Sequence, residues 1–230
     1  MTKVTLITGG SRGIGAATAR LSAAEGHAVA INYRSDATAA EKVRAEVESV
    51  GAKAMVVQAD TGVESDIMHM FEEVDRNLGT VTGLVNNAGI HGPRGRLDAL
   101  SAGDIDRVLD VNVRGCFLCA REAIKRMSTK HGGAGGSIVN VSSGSARLGN
   151  PNDGVLYAAS KGAVNSLTIG LSQEVAGEGI RINTVAPGLT ATDMPPLDKL
   201  ETQGPGIPIG RVAEASEIAE AIVWLLSDKA

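Results

Sequence analysis

The sequence predicts an α/β protein built on a single doubly wound parallel sheet with helices on both faces. Three observations carry the prediction. Short apolar runs alternate with longer segments of helical period along the 230 residues. The runs are apolar throughout, as strands buried on both faces are. Glycine is abundant, at 29 residues against two Phe, two Tyr and one Trp, which lets helices approach a sheet closely. Such βα alternation implies right-handed crossovers and a sheet between two helical layers. Residues 1–230 read as one domain, with no linker and no repeat beyond the βα unit.

KVTLIT at 3–8 is the first strand, and GGSRGIG follows at once. A small-residue helix then runs to about Ala24, ended by Gly26. AVAINY at 28–33 is the second strand, and Val43, Val47 and Val50 stripe the next helix. KAMVVQ at 53–58 is the third strand. Thr61 and Glu64 predict a capping box before a helix striped by Ile67, Phe71, Val74 and Leu78. GLVNNAG at 83–89 holds the fourth strand and a turn, and a long helix is predicted from about Asp104 to Lys130. SIVNVSS at 137–143 is the fifth strand, and a second long helix covers about Val155 to Ala176. IRINTVAPG at 180–188 is the sixth strand. A Pro- and Gly-rich stretch, 187–210, leads to a last helix at 214–226. Ligands of such sheets bind beyond the carboxyl ends of the strands, where GGSRGIG, NNAG, SS and APG all fall.

Formal charge is −4 and no basic run exceeds two residues, which argues against nucleic acid as a partner. No apolar segment is long enough to span a membrane, and the N-terminus enters a strand pattern without a signal-peptide signature. Cys116 and Cys119 form a C-x-x-C inside the long helix, where they read as small apolar side chains rather than a redox or metal pair. The four histidines are scattered, so no metal site is predicted. Reduced thiols fit a cytoplasmic protein.

TGGSRGIG at 8–15 joins a strand to a helix. Its glycines let the backbone approach a pyrophosphate, and the helix start offers N–H donors. Its spacing is not that of the common G-x-G-x-x-G fingerprint. TGGSRGIG resembles the TGxxxGxG loop of the classical short-chain dehydrogenases/reductases. NNAG at 86–89, the serine after the fifth strand, YAASK at 157–161 and PG at 187–188 are similar to that family's other motifs, in its order. The resemblance runs through the whole chain and implies an NAD(P)-dependent oxidoreductase on a Rossmann-type sheet.

The resemblance implies a cofactor site made of Gly9, Ser11, Arg12, Gly13, Ile14 and Gly15 in the loop, with Tyr33 and Arg34 at the end of the second strand. It places Asp60 on the adenine amino group, next to Thr61, with Asn86, Ala88 and Gly89 beside the adenosine half. Pro187 and Gly188 follow the sixth strand; Thr192 would bond the nicotinamide carboxamide, helped by the backbone of Thr190. Local chemistry also allows Asp60 a capping role, and Asn86 and Asn87 a role in the turn; the resemblance implies that Asn86 also ties neighbouring strands together. Tyr33 occupies the place where NAD-dependent relatives carry an acid, and Arg34 follows it; Asp36 reads as the start of the next helix. Arg34 can bind a phosphate directly, so NADP(H) is favoured over NAD(H), the alternative being a solvated surface charge.

Tyr157 and Lys161 stand at i and i+4 and share a helix face. An ammonium about 5 Å away, at an effective dielectric of about 20, favours a phenolate by roughly 3 kcal/mol. That corresponds to about two pKa units below the ordinary value near 10. Tyr157 is thus the expected acid for ketone reduction and base for alcohol oxidation. By resemblance Lys161 also holds the nicotinamide ribose. Ser143, chosen over Ser142, would hydrogen-bond the substrate oxygen, and Asn112 would hold a water linking Lys161 to a proton chain.

The expected activity is interconversion of a small-molecule ketone and a secondary alcohol with NADP(H). The alternatives are a 3-oxoacyl-carrier-protein reductase, a sugar or polyol dehydrogenase, and a non-catalytic dinucleotide-binding regulator. Glu178 stands where such carrier-protein reductases often carry a basic docking residue. Substrate contacts are expected from 189–209 and from the His91–Arg96 loop. Family chains usually continue past the last helix into a seventh strand; this sequence stops at LLSDKA, so either the natural chain is longer or this form lacks that edge strand. The resemblance also implies a homo-oligomer, a tetramer or a dimer, paired through the two long helices.

Overall fold

A computed structural model describes residues 3–230. Six parallel strands form the main sheet: β1 (Val4–Ile7), β2 (Ala28–Tyr33), β3 (Ala54–Gln58), β4 (Gly83–Asn86), β5 (Gly136–Val141) and β6 (Ile180–Val185). Their order is β3-β2-β1-β4-β5-β6. The chain first builds outward from β1 in one direction, then resumes on its other side with β4. The C-terminal ends of β1 and β4 therefore flank the crevice where the winding reverses.

Consecutive strand residues point to opposite faces, and each central strand supplies both layers of core. Leu6, Leu84 and Ile138 face one layer with α3 (Glu64–Asn77) and its Ile67, Met70, Phe71 and Val74. Ile7, Val85 and Val139 face the other. There they meet α1 (Gly13–Ala24) through Ala16, Ala19 and Ala23, and α2 (Ala37–Ser49) through Ala40, Val43 and Val47. The alanine face of α1 is the structural return on its small-residue composition, because it lets that helix lie close to the sheet. Edge strands depart from the expectation of burial on both faces: β6 alternates buried and half-buried residues, and β3 is mostly half-buried. Val50 also leaves its predicted stripe, since α2 ends before it and it is 61% exposed.

The predicted 104–130 helix is three pieces. α4 (Ala102–Leu109) starts on a Ser101–Asp104 capping box, a π-helical turn spans Asp110–Arg114, and α5 (Gly115–Met127) continues. A π turn inserts an extra residue and re-aims the side chains around it. Here it holds Asn112. No capping box forms at Thr61 and Glu64, because α3 begins beyond Val63 without a side-chain cap. Aspartates take over that turn: Asp60 accepts from Gly62 N at 2.8 Å, and Asp66 accepts from Asp60 N at 3.0 Å. β5 stops at Val141, two residues early, freeing Ser142 and Ser143 from the ladder. They precede the short α6 (Ser145–Leu148) and the long α7 (Val155–Val175). The Pro- and Gly-rich stretch is partly ordered. β7 (Thr190–Ala191) pairs with β8 (Ala213–Glu214), α8 (Leu197–Gln203) lies between them, and α9 (Ala215–Leu226) follows.

Candidate active site

A cleft of about 680 Å³ opens over the carboxyl ends of the strands. At its cofactor end, the loop after β1 is stitched to the turn after β4. The Thr8 hydroxyl accepts from Asn87 N and Ala88 N, each at 3.0 Å, while Asn87 Nδ2 donates to the carbonyls of Thr8 and Gly9 at 2.9 and 3.0 Å. From the β2 side, Asn32 Oδ1 accepts from Gly9 N at 3.1 Å. Gly9 and Gly13 adopt φ of +61° and +52°, conformations that other L-residues strain to reach. Gly15 lies beneath the loop rather than on its surface. A Cβ there would overlap the Gly9 carbonyl oxygen and stand 2.6 Å from Asn87 Nδ2. The first N–H groups of α1 are left facing the cleft as a ready anion cradle.

The remaining cofactor candidates divide. Gly9, Ser11, Arg12, Gly13, Ile14, Tyr33, Arg34, Asp60 and Thr61 line the cleft, as do Ala88, Gly89, Pro187, Gly188, Thr190 and Thr192. Gly15 and Asn86 do not. Asn86 is buried in the sheet and donates to Asn140 Oδ1 at 2.9 Å, so its side chain ties β4 to β5. Asp60 lies 2.8 Å from the Arg107 guanidinium. Burial raises its carboxyl pKa, but Arg107 and the Gly62 N–H outweigh that and hold it below the usual value. Arg34 is exposed at the end of β2, with no ion pair among the described residues. Asp36 is occupied as the α2 cap, accepting from Ala39 N at 2.9 Å. Thr192 packs over the start of α1, where a Cβ on Gly13 would approach its methyl to 3.2 Å. The contributions of Thr8, Asn32 and Asn87 escape sequence reasoning, which reads the Asn-Asn pair as turn chemistry. A buried polar residue at a strand end is the signal that could have found Asn32.

The chemical end brings Ser143, Tyr157 and Lys161 together. Tyr157 sits in the first turn of α7, with the Ser143 side chain near enough to its hydroxyl to favour the phenolate, while Ser143 Oγ accepts from Ser145 N at 3.1 Å. Ser142 points elsewhere, donating to the Lys161 carbonyl at 3.0 Å. Lys161 is buried and donates to the Val141 carbonyl at 2.7 Å. Its ammonium stands over the ring of Tyr157, 5.8 Å from the centroid, rather than against the phenol oxygen. The depressed phenol expected from the i,i+4 spacing is therefore not what the folded chain has. Burial raises the Tyr157 pKa, only partly opposed by Ser143. Burial also lowers that of Lys161 to about 8.

Asn112 does not line the cleft. Its Oδ1 accepts from Ile90 N and its Nδ2 donates to Ile90 O, both at 2.8 Å, and Nδ2 also donates to Ser160 Oγ at 3.0 Å. The π turn thus lets one side chain fix the 88–90 loop against α7. Gly89 leaves the space between them: a Cβ there would lie 3.3 Å from Lys161 Nζ and 3.4 Å from Asn112 Oδ1. Cys116 and Cys119 are buried free thiols, and burial pushes Cys116 up to about 12, far from a reactive thiolate. Among the described residues no cluster of metal-ligating side chains exists, and no helix is long and apolar enough to cross a membrane.

The family model for short chain dehydrogenase matches residues 3–200. The chain is 50% identical over 234 residues to an uncharacterized oxidoreductase, YgfF, of Escherichia coli K12, covering 99% of this chain and 94% of that one. It is 37% identical to the 3-oxoacyl-[acyl-carrier-protein] reductase FabG of Staphylococcus aureus, covering 100% of this chain and 93% of the relative. The structure of a short chain dehydrogenase from Burkholderia cenocepacia in complex with NADP superposes with a TM-score of 0.90 at 36% identity, covering 99% and 91% of the two chains.

Proposed function

The chain belongs to the short-chain dehydrogenase/reductase family and is an oxidoreductase, and from that premise we propose that it reduces a ketone to a secondary alcohol with NADPH. The observation that carries the reading is the Ser143–Tyr157–Lys161 group at the floor of a cleft whose other end is a glycine-lined helix start. The residues fit the cofactor. Gly9 and Gly13 keep side chains out of the anion cradle, Gly15 leaves room beneath its loop, and Lys161 is a buried cation at the junction of the two ends. When bound, NADPH supplies the hydride.

The chain's own part is proton control. With its pKa raised by burial, Tyr157 is a neutral hydroxyl near pH 7 and carries the proton that a carbonyl oxygen takes up on reduction. Ser143 donates a second hydrogen bond to the same oxygen and stabilises its developing charge. Lys161 supplies positive charge beside the ring and a ribose contact. Asn112 holds the 88–90 loop against α7, and with it the Lys161 environment; the water assigned to it by family resemblance belongs to the same reading. Purified protein with NADPH and a ketone panel tests the proposal: NADPH bound but never consumed would instead favour a regulator. The carrier-protein alternative draws only on the relatives' names. Glu178, at the expected docking position, turns inward to Ser128 and Lys130.

NADP(H) preference rests on Arg34. It lines the adenosine end, forms no ion pair among the described residues, and the acid that would repel a 2′-phosphate is missing from the end of β2. Arg34→Asp removes a phosphate partner and adds a repelling charge. The ratio of kcat/KM for NADPH over NADH is expected to fall at least about tenfold, the worth of one charge-assisted hydrogen bond. A wild-type ratio below one would overturn the assignment.

Assembly belongs to the same proposal. α5 and α7 present Phe117 and Ile169, 49% and 63% exposed, on the flank away from the cleft. A two-fold contact needs only one self-complementary patch. The protein is expected to sediment as a homo-oligomer at micromolar concentration, and a stable monomer there refutes the pairing.

A further inference from the structure

We infer that the cleft wall beside Tyr157 is a subsite for an anionic group, so that the ketone taken here carries a carboxylate several bonds from its carbonyl. The inference rests on the ketone-reductase reading and deepens it. His91 stacks on the Tyr157 ring, with centroids 5.1 Å apart and planes 20° apart. Beyond it, Arg94 and Lys199 line the cleft and converge on Asp153, at 2.6 and 2.9 Å. Asp153 stands behind them and does not line the cleft. Burial would raise its carboxyl pKa, but Lys199 and Arg94 hold it below the usual range, so it stays ionised. His91 contributes no charge near neutrality: burial and then Arg94 lower its pKa, and Nε2 remains 3.9 Å from Asp153.

One carboxylate against two cations leaves a surplus positive charge. Both cations are only partly exposed, at 32% and 26% of their side chains, so a bound anion would be screened less than at an open surface. Each retains spare N–H donors after binding Asp153. The nearest acid lining the cleft, Asp193, is drawn toward Arg12 at 3.6 Å. A planar guanidinium beside an ammonium is suited to a carboxylate. Spacing suggests where that carboxylate lies on the substrate: contacts run from Tyr157 to His91, from His91 to Asp153 and from Asp153 to the two cations, which sets the cations apart from the phenol and favours a carboxylate several bonds from the carbonyl. Leu148 and Met194 also line the cleft and offer apolar contact to the intervening methylenes. The competing account is that the three charges are only a clip holding α8 to the start of α7.

Calorimetric binding of 5-oxohexanoate and of its methyl ester, to the protein alone and saturated with NADP+, separates the two accounts. The acid is expected to bind about tenfold more tightly than the ester, as a charge-assisted hydrogen bond would give. Arg94→Gln and Lys199→Gln should each erase most of that preference while leaving ester binding nearly unchanged. Asp153→Asn should increase it by removing the competing carboxylate. An acid no tighter than its ester, including no measurable binding of either, overturns the subsite. So do variants that weaken acid and ester equally, the behaviour of a clip. Acid preference without NADPH consumption leaves the subsite standing and removes the ketone-reductase reading, so the two failures are distinguishable.

Discussion

Tyr157→Phe is expected to lower kcat for ketone reduction by about 10²- to 10⁴-fold, the usual contribution of a positioned proton donor. NADPH affinity should stay within a few-fold of wild type. The substitution removes one oxygen, and it leaves the ring in its contacts with His91 and Lys161. Little packing is lost, so thermal stability should barely change. The pattern is diagnostic because other defects look different. A damaged cofactor site would raise the KM for NADPH, and a misfolded α7 would lower stability and activity together. A variant that keeps more than about a tenth of wild-type kcat would assign the proton to another group. In that case Ser143 is the first candidate, being the hydroxyl whose influence on the phenol is felt in its pKa.

The fold was legible because period and composition agreed. Leu6 and Ile7, Leu84 and Val85, Ile138 and Val139 are adjacent apolar pairs, and only a strand covered on both faces needs both members buried. The π turn at Asp110–Arg114 was not legible, since an inserted residue leaves the apolar spacing on either side unchanged. The capping box at Thr61 failed for a local reason. Asp60 and Asp66 order the preceding turn by binding the Gly62 and Asp60 N–H groups, and α3 starts after Val63, so Thr61 does not stand at its N-cap.

The chemical residues were legible by motif, but their electrostatics were not. An i,i+4 Tyr–Lys pair says that the two side chains share a face. It does not say that Lys161 will run beneath the ring to the Val141 carbonyl, or that both groups will be buried. Burial reversed the direction expected for Tyr157. Asn86 reads both ways from its motif, as a tie between strands and as a neighbour of the cofactor, and its side chain makes the first, joining β4 to β5.

Lys161→Met carries the second large effect, and its signature is a gain and a loss in opposite quantities. The substitution keeps an unbranched stem of similar reach and removes the charge. Turnover should fall by at least about 10²-fold, and unlike Tyr157→Phe, NADPH binding should weaken about tenfold or more, for loss of a charged contact. Stability should not fall with them. The buried ammonium has its pKa lowered from 10.5 to about 8, so burial penalises its charged form. The Val141 carbonyl loses its donor, a cost of about 1–3 kcal/mol, while the variant no longer buries an ammonium, whose effective penalty is several kcal/mol. The pH dependence checks the same account with a worked sign. Between about 8 and 10.5 the unfolded chain holds the Lys161 proton and the folded chain has released it. Stability from this group therefore rises with pH across that window. Urea unfolding at a series of pH values should show a wild-type rise that Lys161→Met lacks. Identical pH profiles for the two proteins would mean that Lys161 is not a strained cation, and its role would then reduce to contact with the cofactor.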